Sequence, residues 1–578
     1  MSAGAPSTVA RARGLPPVPV GFRVVLDPST VELSDGSLLG GEPRRIVRLT
    51  PHGRQVFEEL MAGPVRSTLA GTLARRLVTA GVAHPVPPHD AVRGSVAVVV
   101  PVKDRAFDLD RCLASLTGAR VVVVDDGSDD RAAVAAVAAR HGANVAVRGR
   151  NGGPAAARNT GLAATGADLV AFVDSDCVAP PGWLDGLTAH FADPAVGAVA
   201  PRVLPRGAPR SWLAAYAAAR SPLDLGPREA LVRPGTRVSY VPTAALVVRR
   251  TALPGFDEDL RYGEDVDAVW RMIDAGWQVR YDPSVTVSHS EPATWRAFLT
   301  RRFHYGTSTG PLARRHPERL APLVLQPWPT AAAALVVAGR PVAAAATAAV
   351  ATSRLARRLD EVGAPTDLAP RMTAEAVTST LRGLGRATTQ LALPLAVVVA
   401  LAGPRPFLRA GGRAALLAAR GLATVARGGA ERGRAGRDVG RPGLGGSTVG
   451  RPALGTSAVG RPALGASAVG RPGLGALAVR RPGLGVSAVA RRLAGPVSGS
   501  AGTRRPVVAA VRRMAVLAAL VAAPALEEWV RRRPRLDPAR WVVASVADDV
   551  AYGAGVWRGA IRARTAAPLL PRRPPAAD

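Results

Sequence analysis

The sequence predicts an α/β body built on an open, mostly parallel sheet. A small winged-helix-like α+β module precedes it, and Ala-rich helices and a disordered basic tail follow. Three observations carry this expectation. From Gly94 onward, continuous apolar, β-branched runs of strand length alternate with helical stretches, the pattern of parallel strands covered on both faces. These runs end in aspartates, at Asp104, Asp125–Asp126 and Asp174–Asp176. Open sheets bind ligands beyond the carboxyl ends of their strands, where polar groups are ordered and wet. Beyond about residue 320 the pattern stops. Of the net charge of +32, residues 1–320 carry +7 and residues 321–578 carry +25.

Residues 15–90 form the first module. FRVVLDPSTVEL and SLLGG read as short strands joined by turns. Thr50 caps a helix with apolar spacing through Val56, Leu60 and Met61, and STLAGTLARRLVTAGVAHP gives a second helix ending near Gly81. In outline the module resembles the PqqD-like domains that bind leader peptides of ribosomally made precursors. That resemblance implies peptide or pathway proteins as partners; a scaffold packed on the next domain is the equal alternative.

The body covers 94–320. SVAVVVPV (95–102) and RVVVVDDGS (120–128) are strands, 130–140 is a helix, NVAVR (144–148) a strand, 154–164 a helix and 168–173 a strand. Residues 321–430 are Ala-rich. The stretch 329–351 is long enough for a membrane span, with Arg340–Pro341 midway, whereas 390–403 is short for the ~20 residues a span needs. Amphipathic or interfacial helices compete with true spans, and the expectation is a cytoplasmic protein at the inner face of the cell membrane.

Residues 431–505 hold decapeptide repeats such as RPALGTSAVG and RPALGASAVG, too poor in large apolar groups to repay ordering, so disorder is expected. Residues 506–578 read as a helical, basic tail. The charge could suggest nucleic-acid binding, but the body shows no basic stripe interleaved with aromatics. Almost all of the positive charge is arginine, with Lys103 the one lysine, a bias of composition rather than of chemistry. Two cysteines, Cys112 and Cys177, make no disulfide framework, which suits a reducing compartment, and the N-terminus carries no signal-peptide pattern.

The chemistry sits in the aspartates. In LVAFVDSDCVAP, a strand of apolar residues runs straight into Asp174 and Asp176, a spacing that suits a hard divalent cation, Mg²⁺ or Mn²⁺, with positions left for water and phosphate. NGGPAAARNTGL (151–162) is a Gly-rich entry to a helix carrying Arg158, where backbone amides and a guanidinium could meet phosphate. RYGEDVDAVWRMIDAGW (261–277) opens a helix with Glu264, Asp265 and Asp267, either functional carboxylates or complements to the helix dipole. Trp270, Trp277 and Trp295 are candidates for a sugar platform or for the core.

Together, VVVPVKDR, VVDDGSDD, GGPAAARNTGL, FVDSD, GFDEDLRYGEDVD and RRFHYG resemble, over 95–310, the family 2 glycosyltransferases with a GT-A fold. The resemblance implies roles. Asp126 would read the uracil of a UDP-sugar, with Asp125, Asp104 and Pro101 at the same pocket, and Arg158 would bind donor. Asp174 and Asp176 would be the metal pair, Asp176 the direct ligand. Asp265 would be the general base, with Glu264 its nearest rival. Arg301 and Arg302 stand on the helix that would close over the diphosphate, where His304 is either a metal ligand or a helix-face histidine. The QxxRW motif of processive synthases is absent. Over 15–410 the chain resembles the mycofactocin-system glycosyltransferases of actinobacteria, which implies glucosylation of the peptide-derived redox cofactor premycofactocin to a short β-linked glucan. The alternatives are a transferase acting on lipid-linked cell-envelope glycans and a nucleic-acid-binding protein. On this reading the repeats carry no chemistry, and truncation at about 430 leaves transfer intact.

Overall fold

The computed structural model describes residues 14–88, 94–402 and 501–572. The decapeptide repeats lie outside the described residues. Described residues up to Leu391, together with those from Val521 on, form one compact unit; Ala392–Ala402 and the helical residues up to Leu520 belong to a second.

In the N-terminal module, β1 (Arg23–Leu26) pairs antiparallel with β5 (Ala83–Val86), and β2 (Val31–Glu32), β3 (Leu38–Gly40) and β4 (Arg45–Val47) make a three-stranded antiparallel sheet. The two expected helices are Pro51–Ala62, behind its expected cap Thr50, and Thr68–Ala80. Thr50 Oγ1 accepts from the Gly53 amide (3.0 Å) and Ser67 Oγ from the Ala70 amide (3.1 Å), each satisfying a donor the helix leaves open. Gly81 ends the second helix at φ +75°. Phe22, Leu38, Leu60 and Leu77 fill the module's core.

The module is bolted to the body. Arg75 Nη2 donates to both carboxylate oxygens of Asp193 (2.6 and 2.7 Å) and Nη1 to Gln278 Oε1 (2.9 Å), all buried. Its three-stranded sheet packs Leu33 and Leu39 against Leu359, Ala364 and Ala369 of the Ala-rich region.

The body is a nine-stranded sheet. Its parallel half is β8 (Asn144–Val147), β7 (Val121–Asp125), β6 (Val96–Val102) and β9 (Leu169–Val173), in that order. Past β9 come β13 (Ala245–Arg249), antiparallel to it, then β11 (Val196–Pro205), β14 (Gln278–His289) and the short β10 (Cys177–Val178); β12 (Ala230–Leu231) pairs with β14. The long parallel register of β11 on β14 keeps parallel pairing dominant. Burial on both faces explains the unbroken apolar strands. Val98, Val100, Leu169, Ala171 and Val173 pack on one side, while Val99, Val170 and Phe172 pack on the other.

Beyond the body, the stretch expected as one long span is broken at Gly339. It forms the helices Pro327–Val337 and Pro341–Asp360, because proline cannot continue the first and can begin the second. Two helical stretches, Leu368–Ala402 and Val507–Arg532, are long and apolar enough to cross a membrane by length and composition, with mean hydropathies of 1.5 and 1.8. In the second unit, Arg513 Nε donates to the Ala400 carbonyl at 2.8 Å.

The tail expected after 506 is not a loose appendage. The helix Pro538–Arg562 packs on the helix Trp295–Thr307, and Trp541, fully buried, fills a cluster with Tyr216, Phe298 and Leu213.

Candidate active site

A cavity of about 930 Å³ opens at the end of β9. The strand stops at Val173; the Asp174 amide donates to the Ala244 carbonyl (3.0 Å), and the turn Asp174–Ser175–Asp176 leads into β10. Antiparallel pairing of β10 with β14 sets Cys177 opposite His289. That register brings His289 Nε2 to 3.5 Å from Asp176 Oδ1. The buried Nδ1 of His289 has no hydrogen-bond partner among the described residues.

Arg158 reaches the same cavity from the helix Pro154–Ala163. Its side chain is 4% exposed, and its Nη2 donates to Asp174 Oδ1 (2.8 Å) while Nη1 donates to Glu264 Oε1 (2.7 Å). Arg105, at the end of VVVPVKDR, donates to Asp176 Oδ2 at 2.5 Å. The two carboxylates that end the strand are thus each held by a guanidinium.

The third carboxylate group comes from the helix Glu264–Asp274, entered through Gly263 at φ +82°. There the backbone is left-handed, and a Cβ would press on Leu312 and Ser308, 2.9 Å away. Asp265 lines the cavity half-buried, its Oδ1 accepting from the Val266 amide (2.8 Å). Burial raises its carboxyl above the ordinary aspartate range; Arg158 opposes that shift and Asp174 adds to it. Glu264 also moves upward, by burial and by the charge of Asp265, against the pull of Arg158. Both carboxylates line the cavity, Glu264 bonded to Arg158 and Asp265 to the Val266 amide.

Arg301 and Arg302 line the cavity as expected, with Tyr240, Tyr305 and Tyr552. Other expected residues stand elsewhere. Asp126 is 5% exposed, and its carboxylate accepts from the amides of Gly152 (2.9 Å) and Gly153 (2.8 Å) and from Arg148 Nε (2.9 Å). The amides at this helix entry therefore meet an internal carboxylate, not a phosphate, because a buried anion takes the helix N-terminus first. Asp125 accepts from the Ser128 amide (2.8 Å), Asp104 from the Asp129 amide (2.6 Å), and Pro101 lies within β6. None of these four lines the cavity.

His304 does not line this cavity. It stacks on Tyr262 (4.7 Å between ring centres), its Nδ1 3.0 Å from the Tyr262 hydroxyl, in a shallower pocket. The histidine beside the carboxylate pair is His289. Sequence reading missed it because a single histidine at the end of a long strand carries no spacing signal; only the pairing with β10 brings it there. Among the described residues no group of three or more acidic, histidine or cysteine side chains is placed to hold a metal ion. Trp270, 3% exposed, lines the cavity and donates from its indole to the Ser239 carbonyl (2.8 Å), and Trp295 packs at a tilt against Trp212, 4.6 Å between ring centres.

Residues 97–253 match the family model "Glycosyl transferase family 2". The chain is 46% identical over 318 residues to the pre-mycofactocin glycosyltransferase of Mycobacterium tuberculosis, covering 53% of this chain and 66% of that relative. It is 28% identical over 265 residues to an N-acetylglucosaminyltransferase of Rhizobium leguminosarum, covering 42% of this chain and 60% of that one. Among solved structures, a mannosyltransferase of Pyrobaculum calidifontis, in complex with GDP-Man and Mn²⁺, aligns at 21% identity and TM-score 0.32, covering 52% of this chain and 89% of its own. The chain spans 66% and 60% of the lengths of the two curated relatives. On the family match and the relatives, with the open α/β sheet expected of the GT-A type, the chain belongs to the family 2 glycosyltransferases.

Proposed function

We propose that the chain is an inverting hexosyltransferase that moves glucose from UDP-glucose to premycofactocin, building a short β-linked oligosaccharide. The observation that carries the chemistry is the convergence of Asp174, Asp176 and Asp265 on one cavity from two separate elements. The name of the Mycobacterium tuberculosis relative supports the acceptor.

Asp174 and Asp176 would hold Mg²⁺ or Mn²⁺, hard cations that take carboxylate oxygens and leave positions for phosphate oxygens, with His289 beside Asp176 at 3.5 Å. When bound, the cation offsets the charge that grows on the leaving diphosphate. Asp265 accepts the proton of the acceptor hydroxyl as its oxygen attacks the anomeric carbon. The bond from that carbon to the diphosphate oxygen breaks, and UDP leaves with the electron pair. One displacement opposite the leaving group inverts the anomeric centre, so an α-linked donor gives a β-linked product. Arg158 ties Glu264 by a hydrogen bond, and Arg301 offers a cation at the cavity wall.

Residues 15–90 would brace the body through Arg75 and Asp193, and a peptide partner on that module is compatible with a ribosomally derived acceptor. The two apolar helical stretches are compatible with a place at the inner face of the cell membrane. They also favour the second reading, transfer to a lipid-linked envelope glycan, to which the match to a succinoglycan biosynthesis protein of Rhizobium meliloti adds weight.

Mass spectrometry of polar metabolites from cells with and without the gene separates the two. Loss of a ladder of species one hexose apart on a peptide-derived cofactor supports the first. A persisting ladder with altered envelope glycans overturns it in favour of the second.

A further inference from the structure

The cavity has a wall that the family match does not cover. Asp549, Tyr552 and Val556 line it from the helix Pro538–Arg562, beside Asp265 and Arg302. This helix lies against Trp295–Thr307 almost backbone to backbone: a Cβ on Gly306 would overlap the Tyr552 carbonyl, and one on Gly555 the Phe303 carbonyl. Such an approach transmits any displacement of one helix to the other.

The contact is charged where it meets the cavity. Asp548 is fully buried and accepts from Arg302 Nε and from the Tyr216 hydroxyl (3.0 Å), with Arg220 Nη1 at 3.3 Å. The Arg302 guanidinium lies 5.7 Å from the centre of the Tyr552 ring. Buried ion networks of this kind contribute little to stability compared with apolar packing of the same volume. What they do fix is where a guanidinium stands. A helix needed only as a brace would pack with apolar side chains, as Trp541 does one turn and more earlier in the same helix.

We propose that the helix Pro538–Arg562 is a working wall of the transfer site, with Asp548 a positioning residue that holds Arg302, 246 residues away in sequence, toward the diphosphate of the bound donor. The inference rests on the nucleotide-sugar reading of the donor but not on the identity of the acceptor. Arg302 is held by Asp548 on one side and by the Tyr552 ring on another, leaving its remaining donors for an anion.

The test is calorimetric titration of UDP with Mn²⁺ into the full chain, alongside thermal unfolding. Asp548→Asn is expected to weaken UDP binding by roughly tenfold, the worth of one charge-assisted hydrogen bond, with Asp548→Glu restoring most of it. Tyr552→Leu removes the ring under Arg302 but leaves the buried charges paired, so it supplies the answer if Asp548→Asn does not fold. It is expected to weaken UDP several-fold. A folded Asp548→Asn or Tyr552→Leu protein that binds UDP within about twofold of the wild type overturns the inference, since a purely structural role lowers the unfolding temperature and leaves affinity alone. A wild-type chain that takes no UDP with Mn²⁺ overturns the donor reading and this inference together. Normal UDP binding without transfer to premycofactocin overturns only the acceptor.

Discussion

Asp265 and Glu264 are neighbours in sequence with different fates, and the difference is a partner. Glu264 is 6% exposed and bound to Arg158, whereas Asp265 looks into the cavity. Asp265→Asn is expected to lower kcat by about 10²–10⁴-fold while leaving UDP affinity near that of the wild type, checked by steady-state rates and calorimetry. The raised pKa of Asp265 sets the sign of the pH dependence. A carboxyl raised by burial is protonated, and useless as a base, at a pH where an ordinary aspartate is ionised, so the rate should fall as pH drops through that raised value. The acid limb of the pH–rate profile is expected to vanish in the Asn variant. Asp176→Asn should abolish the Mn²⁺ dependence of UDP binding, and His289→Ala should weaken it, because His289 stands 3.5 Å from Asp176; unchanged metal titrations in both would remove them from the metal set.

At the scale of elements, two contacts decide the architecture. The Arg75–Asp193 fork is buried, 7% and 1% exposed at the two side chains, and holds the N-terminal module to β14 through Gln278. Arg75→Ala leaves Asp193 buried without its cation and is expected to cost about 3–5 kcal/mol, read as a lower denaturation midpoint. The second contact is the pair of helices Trp295–Thr307 and Pro538–Arg562. Gly306→Ala puts a methyl into the Tyr552 carbonyl and is expected to cost about 1–3 kcal/mol, read the same way.

For the whole molecule, the expectation that truncation at about 430 leaves transfer intact meets a C-terminal helix packed on the body. Tyr216 and Phe298 of the body bury themselves against Trp541, and Arg220 and Arg302 find their carboxylates on the C-terminal helix. Truncation at 430 would expose those aromatic faces and leave two buried guanidinium groups unpaired. It is expected to yield protein that aggregates or unfolds well below the full chain, as size-exclusion chromatography and thermal melting would report. A folded, active truncation would restore the reading of that region as filler.

The sequence by itself determined the sheet and the carboxylate pair. Runs such as VAVVVPV and LVAFV must be buried on both faces, and an aspartate directly after such a strand must stand at its open end; both are local consequences of side-chain alternation and hydrophobicity. The place of Asp265 at the cavity was legible too, as an acidic first turn behind a glycine. The tertiary structure decided what depends on register and on distant packing. His289 joins Asp176 only because β10 pairs with β14, and Asp126 turns from the cavity because two amides of a neighbouring helix reach it first. Asp548 meets Arg302 across 246 residues. Such contacts leave no period or spacing in the chain, since each is set by which surfaces meet after the elements have formed.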